Sequence, residues 1–310
     1  MPEAAEFEEK EYECFFNGEL AAINRQIWSP GQVLEGKIGF DGAAMIDPEI
    51  LFLRRHYDPR AIQHLSKGVR LDSDWIREVF KTHDRYFPNY NFNFFVQYKR
   101  PDFVYGNNSG QRSYWSSPYY RYTINKKQNR LLEKLQSVCG RSAIITYACP
   151  SFHTKESLWN AHQNLKIVGK SNFANPTKLA THDHYTFTKP GNRGYAHSEP
   201  EEIISPNIYE QVTSILSNTK PEPLSKLIKE AGKSIEACFE ELNGHAALGK
   251  KIARDIVEMA DDDGPLITAL AHIYAAKFVF GTTLLVMGQN ASESFADHSR
   301  KQPPKATPSA

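Results

Sequence analysis

The chain has 310 residues, with 37 Lys and Arg against 36 Asp and Glu and a formal net charge of +1, enough for one large domain or two modest ones around a substantial core. Its hydrophobic (40%) and charged (24%) fractions are those of an ordinary globular protein. Four scattered cysteines, Cys14, Cys139, Cys149 and Cys238, form no CxxC pair, which excludes the usual zinc-site and disulfide frameworks and, with no basic-then-apolar leader, predicts a cytoplasmic protein.

In chain order, the spacing of Tyr12, Phe15, Phe16, Leu20 and Ile23 predicts an amphipathic helix from about residue 5 to 25. This acidic opening holds seven carboxylates and one lysine up to Glu19. Ser29 and Pro30 read as the cap and first residue of a short helical turn. Lys37–Ile46 and Glu49–Tyr57 read as two strands of a hairpin, and Ser73–His83 as a short helix. Asn91–Lys99 (NFNFFVQYK) is the strongest strand signal, rich in aromatics and ending in charge. A polar loop over 102–118 precedes a helix over 124–138, with Leu131, Leu132, Leu135 and Val138 on one face and Lys126, Lys127, Arg130 and Lys134 on the other. Ser142–Ala148 is a short buried strand, and a helix-and-strand section follows to about Ile204.

Beyond Pro221 the pattern turns helical, with helices expected near 224–235, 248–259 and 266–287. The last is apolar and nearly long enough to span a bilayer. His272 and Lys277 near its middle favour a buried helix of a soluble protein instead. The organisation expected is an α/β region over 1–215, a helical region over 222–289 for dimerisation or regulation, and a disordered tail over 290–310.

Alternate side chains of a strand face the same way, so Gln97 and Lys99 project together, about 7 Å apart. Asp41, after Gly39 and Phe40, is expected within reach of the same sheet edge. A carboxylate, a side-chain carbonyl and an ammonium group suit phosphodiester hydrolysis on magnesium, a hard ion that takes oxygen ligands and keeps several waters. A second carboxylate would help neutralise the metal. Glu19, at the centre of the first helix's apolar stripe, is one candidate, because a carboxylate facing a core needs a partner or a metal. Glu35, six residues before Asp41, is the other, and the residues alone leave both open.

Gly39-Phe40-Asp41-Gly42 followed by Val96-Gln97-Tyr98-Lys99-Arg100 resembles the catalytic signature of the Mrr-like branch of the PD-(D/E)xK nucleases, in which QxK replaces ExK. The resemblance covers roughly residues 5–150. It implies a restriction-endonuclease-like αβββαβ core with a mixed central sheet, to which this chain adds a C-terminal helical region. It implies Asp41, Gln97 and Lys99 as catalytic residues, Glu19 as the first-helix glutamate, and Mg2+ or Mn2+ as cofactor. The spacing from Asp41 to Gln97 is long for the pattern, and the Ser73–His83 helix accounts for it as an insertion.

From Lys99 to Arg130 seven bases face one acid, Asp102. Within this segment Arg100, Arg121, Lys126, Lys127 and Arg130 are candidate phosphate contacts, and the interleaved Phe103, Tyr105, Tyr114, Trp115, Tyr119, Tyr120 and Tyr122 are candidate stacking groups. A competing site is His182 and His184, which share one strand face, with His197 nearby. The leading expectation is a metal-dependent endonuclease acting on DNA in restriction or anti-phage defence. Its partners would be a second copy through the C-terminal helices or another defence protein, with no membrane role. The alternatives are an inactive nucleic-acid-binding protein on a nuclease-like fold, and a helical interaction protein whose sheet is only structural.

Overall fold

The run FNFFVQY has no polar alternation, and the structure gives the reason. In the computed structural model, which describes residues 2–24, 26–29, 73–86, 89–105, 114–115, 118–198, 200–242, 244–260 and 263–295, strand β3 (Phe92–Tyr98) is buried along its whole length. It lies at the centre of a mixed five-stranded sheet and is covered on both faces, as continuous apolar strands usually are. Phe92, Phe94, Val96 and Tyr98 enter one apolar core, while Phe95 enters the other.

The flanking elements follow from local signals. Helix α1 (Glu9–Ile23) starts with a capping box between Glu8 and Glu11. After strand β2 (Ile27–Trp28) and helix α2 (Ser73–Tyr86), β3 is followed by strands β4 (Asp102–Val104) and β5 (Tyr119–Thr123). Asn125 then caps helix α3 (Lys126–Cys139) by accepting hydrogen bonds from the amides of Lys127 and Gln128, and Gly140 ends it. Leu131, Leu132 and Leu135 are its buried face. Strand β6 (Ala143–Pro150), buried throughout, lies parallel to β3 with Phe94 opposite Ile144 and Gln97 opposite Tyr147.

The chain continues through helix α4 (Lys155–Gln163), strand β7 (Ser171–Ala174), strands β8 (His184–Phe187), β9 (Arg193–His197) and β10 (Glu201–Ile204), and helix α5 (Ile208–Asn218). A second, six-stranded sheet in the order β1-β4-β5-β8-β9-β10 is antiparallel throughout and takes its first strand, β1, from Pro2–Ala4. The fold is therefore mixed α/β with two sheets, one of them mixed. The loop expected over 102–118 contributes β4 to the second sheet, which the sequence reading had not separated from the first.

Helices α6 (Leu224–Glu241), α7 (His245–Ala260) and α8 (Pro265–Phe280) share the larger core with β3, β6 and part of the second sheet. A side chain on Gly232 would collide with Ala269, so glycine there lets α6 approach α8 closely. The helical region expected over 222–289 is thus continuous with the sheet's own core. The single helix expected over 266–287 is corrected: Gly281, at φ 72°, ends α8, and Thr283–Met287 form strand β11. The first part of the expected tail is ordered, since helix α9 (Ala291–Phe295) packs Phe295 into the smaller core; the rest of that tail lies outside the described residues.

Strand β11 is antiparallel to β3, with Thr283 opposite Val96 and Met287 opposite Phe92. The five-stranded order is β2-β11-β3-β6-β7. Both hydrogen-bonding edges of β3 are thereby taken, and the neighbour on the side opposite β6 comes from the far end of the chain. No described helix is long and apolar enough to cross a membrane.

Candidate active site

Residues Gln97 and Lys99 stand where β3 leaves the sheet. The Lys99 amide donates to the Ala148 carbonyl at 2.9 Å, extending the β3–β6 ladder by one residue, so the backbone beneath both side chains is fixed. Gln97 is 1% exposed. Its Nε2 donates to the Tyr98 carbonyl at 3.2 Å, and its Oε1 accepts a long 3.4 Å contact from the Thr282 hydroxyl. The Lys99 Nζ donates to Gln128 Oε1 at 2.7 Å and lies 5.5 Å from the centre of the Tyr147 ring. Burial depresses the Lys99 pKa, and the nearby Glu9 carboxylate partly opposes that.

Helix α1 contributes two acids to this end of the sheet. Glu9 has its pKa raised by burial, with Lys99 acting the other way. Glu13, one turn on, is buried and receives Lys10 Nζ at 2.7 Å, the Thr283 hydroxyl at 2.7 Å and Lys277 Nζ at 3.5 Å. Burial alone would raise its pKa, but Lys277 and Lys10 together with the two side-chain hydrogen bonds hold it below the usual carboxylate value.

The turn from α8 into β11 closes the site. Gln128 accepts from Lys99 and donates to the Phe280 carbonyl, so it ties α3 to the end of α8. A Cβ on Gly281 would lie 3.3 Å from Gln97 Nε2. Glu9, Glu13, Gln128, Thr282 and Thr283 were not picked out from sequence, and Lys277 stood out only as a charge within an apolar run. The four-residue spacing of Glu9 and Glu13 gave a signal, whereas Gln128, Thr282 and Thr283 reach the site through long-range packing.

Glu19 is placed elsewhere. It is 1% exposed, and its carboxylate accepts hydrogen bonds from the amides of Ile167 (2.5 Å) and Val168 (3.2 Å). Burial pushes its pKa up to about 7, against the lowering effect of those two amides. The physical reason is helical rotation. Six residues at about 100° each turn Glu19 roughly 120° away from Glu13, so the two cannot share a flank. The apolar stripe correctly marked Glu19 as buried, but its partner is backbone and not β3. Asp41 and Glu35 lie outside the described residues.

The expected phosphate contacts divide into two groups. Arg100 is held on α1's approach, donating from Nε to the Ala5 carbonyl at 3.1 Å and from Nη1 to Glu8 at 3.1 Å. Arg121, on the second sheet, pairs with Asp102 at 3.0 Å. Lys126, Lys127 and Arg130 are exposed on the first turns of α3, the helix whose Gln128 receives Lys99; Lys126 also pairs with Asp183 at 2.7 Å. Of the interleaved aromatics, Tyr119 and Tyr122 are buried. Trp115 meets Tyr195 edge-on and donates to the Thr186 hydroxyl, while Tyr105 and Tyr114 remain exposed.

His184 and His197 face each other across β8 and β9, and His197 Nε2 lies 2.9 Å from the Thr186 hydroxyl. Burial, reinforced by His184, His182 and Arg121, lowers the His197 pKa to about 4. His182 instead lies 3.5 Å from Glu201. Among the described residues no group of three or more His, Cys, Asp or Glu side chains is arranged to hold a metal ion, in either region. The described donors near Lys99 that suit a hard cation are the weakly engaged Gln97 Oε1 and the Glu9 carboxylate; Glu13 is already occupied by two ammonium groups and a hydroxyl. Such a pair fits magnesium only with a further carboxylate, the role that the sequence reading gives to Asp41.

No family model, curated protein or solved structure matches this chain.

Proposed function

We propose that this protein is a metal-dependent endonuclease that hydrolyses DNA phosphodiester bonds, on a core related to the Mrr-like PD-(D/E)xK nucleases. The observation that carries the reading is the placement of Gln97 and Lys99 at the end of the central strand, with Lys99 held by Gln128 of α3 beside that helix's basic first turns and the Glu9 carboxylate close enough to act on the Lys99 charge. In this reading Asp41, Gln97 and Glu9 supply oxygen ligands to Mg2+ or Mn2+. The metal, when bound, lowers the pKa of a coordinated water and polarises the phosphate. Lys99, fixed by Gln128 and Tyr147, aims its ammonium at the charge that develops on the phosphate. Lys126, Lys127 and Arg130 hold the flanking backbone phosphates. A defence role in the cytoplasm, a partner defence protein, and self-association through exposed apolar residues of the C-terminal helices such as Leu248 and Phe278 belong to the same proposal.

The test is magnesium-dependent cleavage of plasmid DNA by the wild-type chain and by Lys99→Ala and Asp41→Ala. Loss of one preorganised electrostatic contact lowers such rates by about 100- to 1,000-fold, and we expect that loss for Lys99→Ala. Cleavage that survives both substitutions would overturn the site. A second reading, a DNA-binding protein without catalysis, is favoured by the engagement of Lys99 by Gln128 and of Gln97 by Thr282. It predicts salt-dependent DNA binding with no metal-dependent cleavage by the wild-type chain.

A further inference from the structure

One cross-strand row of the second sheet reads Glu3, Phe103, Tyr120 and Phe187, through β1, β4, β5 and β8. Directly opposed residues project to the same face, so this row is a single surface. It passes from an exposed acid through two half-buried rings to a fully buried one. His153 lies flat on Phe103, with ring centres 4.0 Å and planes 6° apart. Just past β4, Tyr105 brings its ring centre to 5.9 Å from that of Phe103 and is 53% exposed. The aromatic surface is therefore closed by the core at Phe187 and open to solvent at Tyr105.

The charge at this open corner is negative. The cations around it already face carboxylates: Arg100 meets Glu8, Lys155 meets Glu11 and Lys10 meets Glu13. Lys99 is buried with Glu9 acting on its charge. Arg121 follows Tyr120 on β5, so it projects from the opposite face, where it pairs with Asp102. Lys170 and Lys189 border the turn after β8, three strand spacings or about 14 Å from Glu3. That is beyond the reach of an exposed charge at physiological salt. Glu3 is left exposed at the head of the row. Glu6, also exposed, donates its amide to the His153 carbonyl at 2.8 Å, and its carboxylate accepts the Lys155 amide at 2.8 Å.

We infer that this corner takes an arginine side chain from a basic segment of a partner protein, its guanidinium stacked on the Tyr105 ring and paired with Glu3. Glu3 stands directly opposite Phe103, which makes Tyr105 its diagonal neighbour, about 7–8 Å away on the same face. A planar cation fits between an aromatic face and a carboxylate at that separation, and arginine supplies both the stacking plane and paired donors. A nucleic acid would instead bring its phosphates against Glu3 and Glu6. This inference is independent of the nuclease reading.

Isothermal titration calorimetry on the full chain tests it, with hexa-arginine, hexa-lysine and oligo(dT) as separate titrants. The expected result is saturable hexa-arginine binding, about fivefold tighter than that of hexa-lysine, which carries the same charge. Tyr105→Ala should weaken hexa-arginine binding about threefold to tenfold, while Tyr105→Phe keeps it. Glu3→Gln should weaken it about fivefold or more. Both side chains are exposed, and an unchanged thermal midpoint checks the folding of each variant. The inference is overturned if hexa-arginine does not bind, if hexa-lysine binds as tightly, or if either Tyr105→Ala or Glu3→Gln leaves the affinity unchanged. It is equally overturned if oligo(dT) binds and loses affinity in Tyr105→Ala, since the corner would then be a base-stacking surface.

Discussion

Helix α1 carries two buried glutamates whose surroundings are opposite. Glu13 meets two lysines and a hydroxyl and is held as a carboxylate, whereas Glu19, among the described residues, meets two backbone amides and has its pKa raised to about 7. Both are buried to a similar degree. The comparison teaches that burial alone says a carboxylate has a partner without saying which kind. Amides offer hydrogen bonds but no full charge, so desolvation wins at Glu19. At Glu13 the ammonium groups of Lys10 and Lys277 reverse the balance.

The strongest way to break this contrast is to remove the carboxylate that is paired. Glu13→Ala leaves Lys277, whose side chain is 27% exposed, without that counter-charge and leaves the Thr283 hydroxyl without its acceptor. Losing one partner of a buried pair costs about 3–5 kcal/mol, and the partial exposure of Lys277 lowers the expectation here to about 2–3 kcal/mol. Urea unfolding at neutral pH measures it. A loss below about 1 kcal/mol would mean that water already screens the Lys277–Glu13 pair.

How far sequence could see this depends on the range of the contacts. The strand at Asn91–Lys99 and the α3 helix were legible because their burial is written in local patterning, and the two-residue period put Gln97 and Lys99 on one face. Strand β11 was not legible. An apolar run gives no periodicity to separate a buried helix from the buried strand after it, and only Gly281 marks the break. The second sheet was hidden for a related reason, since its first strand, β1, pairs with β4 about 100 residues later. Helical spacing found that Glu19 is buried. It could not find that Lys277 and Thr283, more than 260 positions away, lie against Glu13. The other half of the predicted site, Asp41 and Glu35, lies outside the described residues.

A smaller effect separates the two glutamates by pH. A folded-state pKa raised from 4.5 to about 7 means that the native protein binds the Glu19 proton more tightly than the unfolded chain does. Stability from this group is therefore fully present below about pH 4.5 and is lost as pH rises toward 7. Glu13 has the opposite sign: its folded pKa is lowered, so its contribution is present above 4.5 and disappears as pH falls through the folded value. Glu19→Gln should flatten the decline between pH 4.5 and 7, an effect of about 1–2 kcal/mol. Glu13→Gln should flatten only the acid limb. Denaturant midpoints across pH 3–8 give both curves, and equal changes in the two variants would erase the distinction.

The smallest predicted effect tests whether the Glu13 flank depends on the turn behind it. Gly281 adopts φ 72°, a left-handed conformation that costs a residue with a Cβ about 1 kcal/mol. An added methyl would also lie 3.3 Å from Gln97 Nε2, so the amide must shift by a few tenths of an ångström. The same turn sets where Lys277 and Thr283 stand relative to Glu13, whereas Glu19 is held by the Ile167 and Val168 amides. Gly281→Ala should thus lower stability by about 1 kcal/mol and shift the acid limb assigned to Glu13, while the decline between pH 4.5 and 7 keeps its slope. If the slope assigned to Glu19 changed as much as the acid limb, the two flanks of α1 would be energetically one unit, and the separation between an ion-paired and an amide-bound glutamate would not hold.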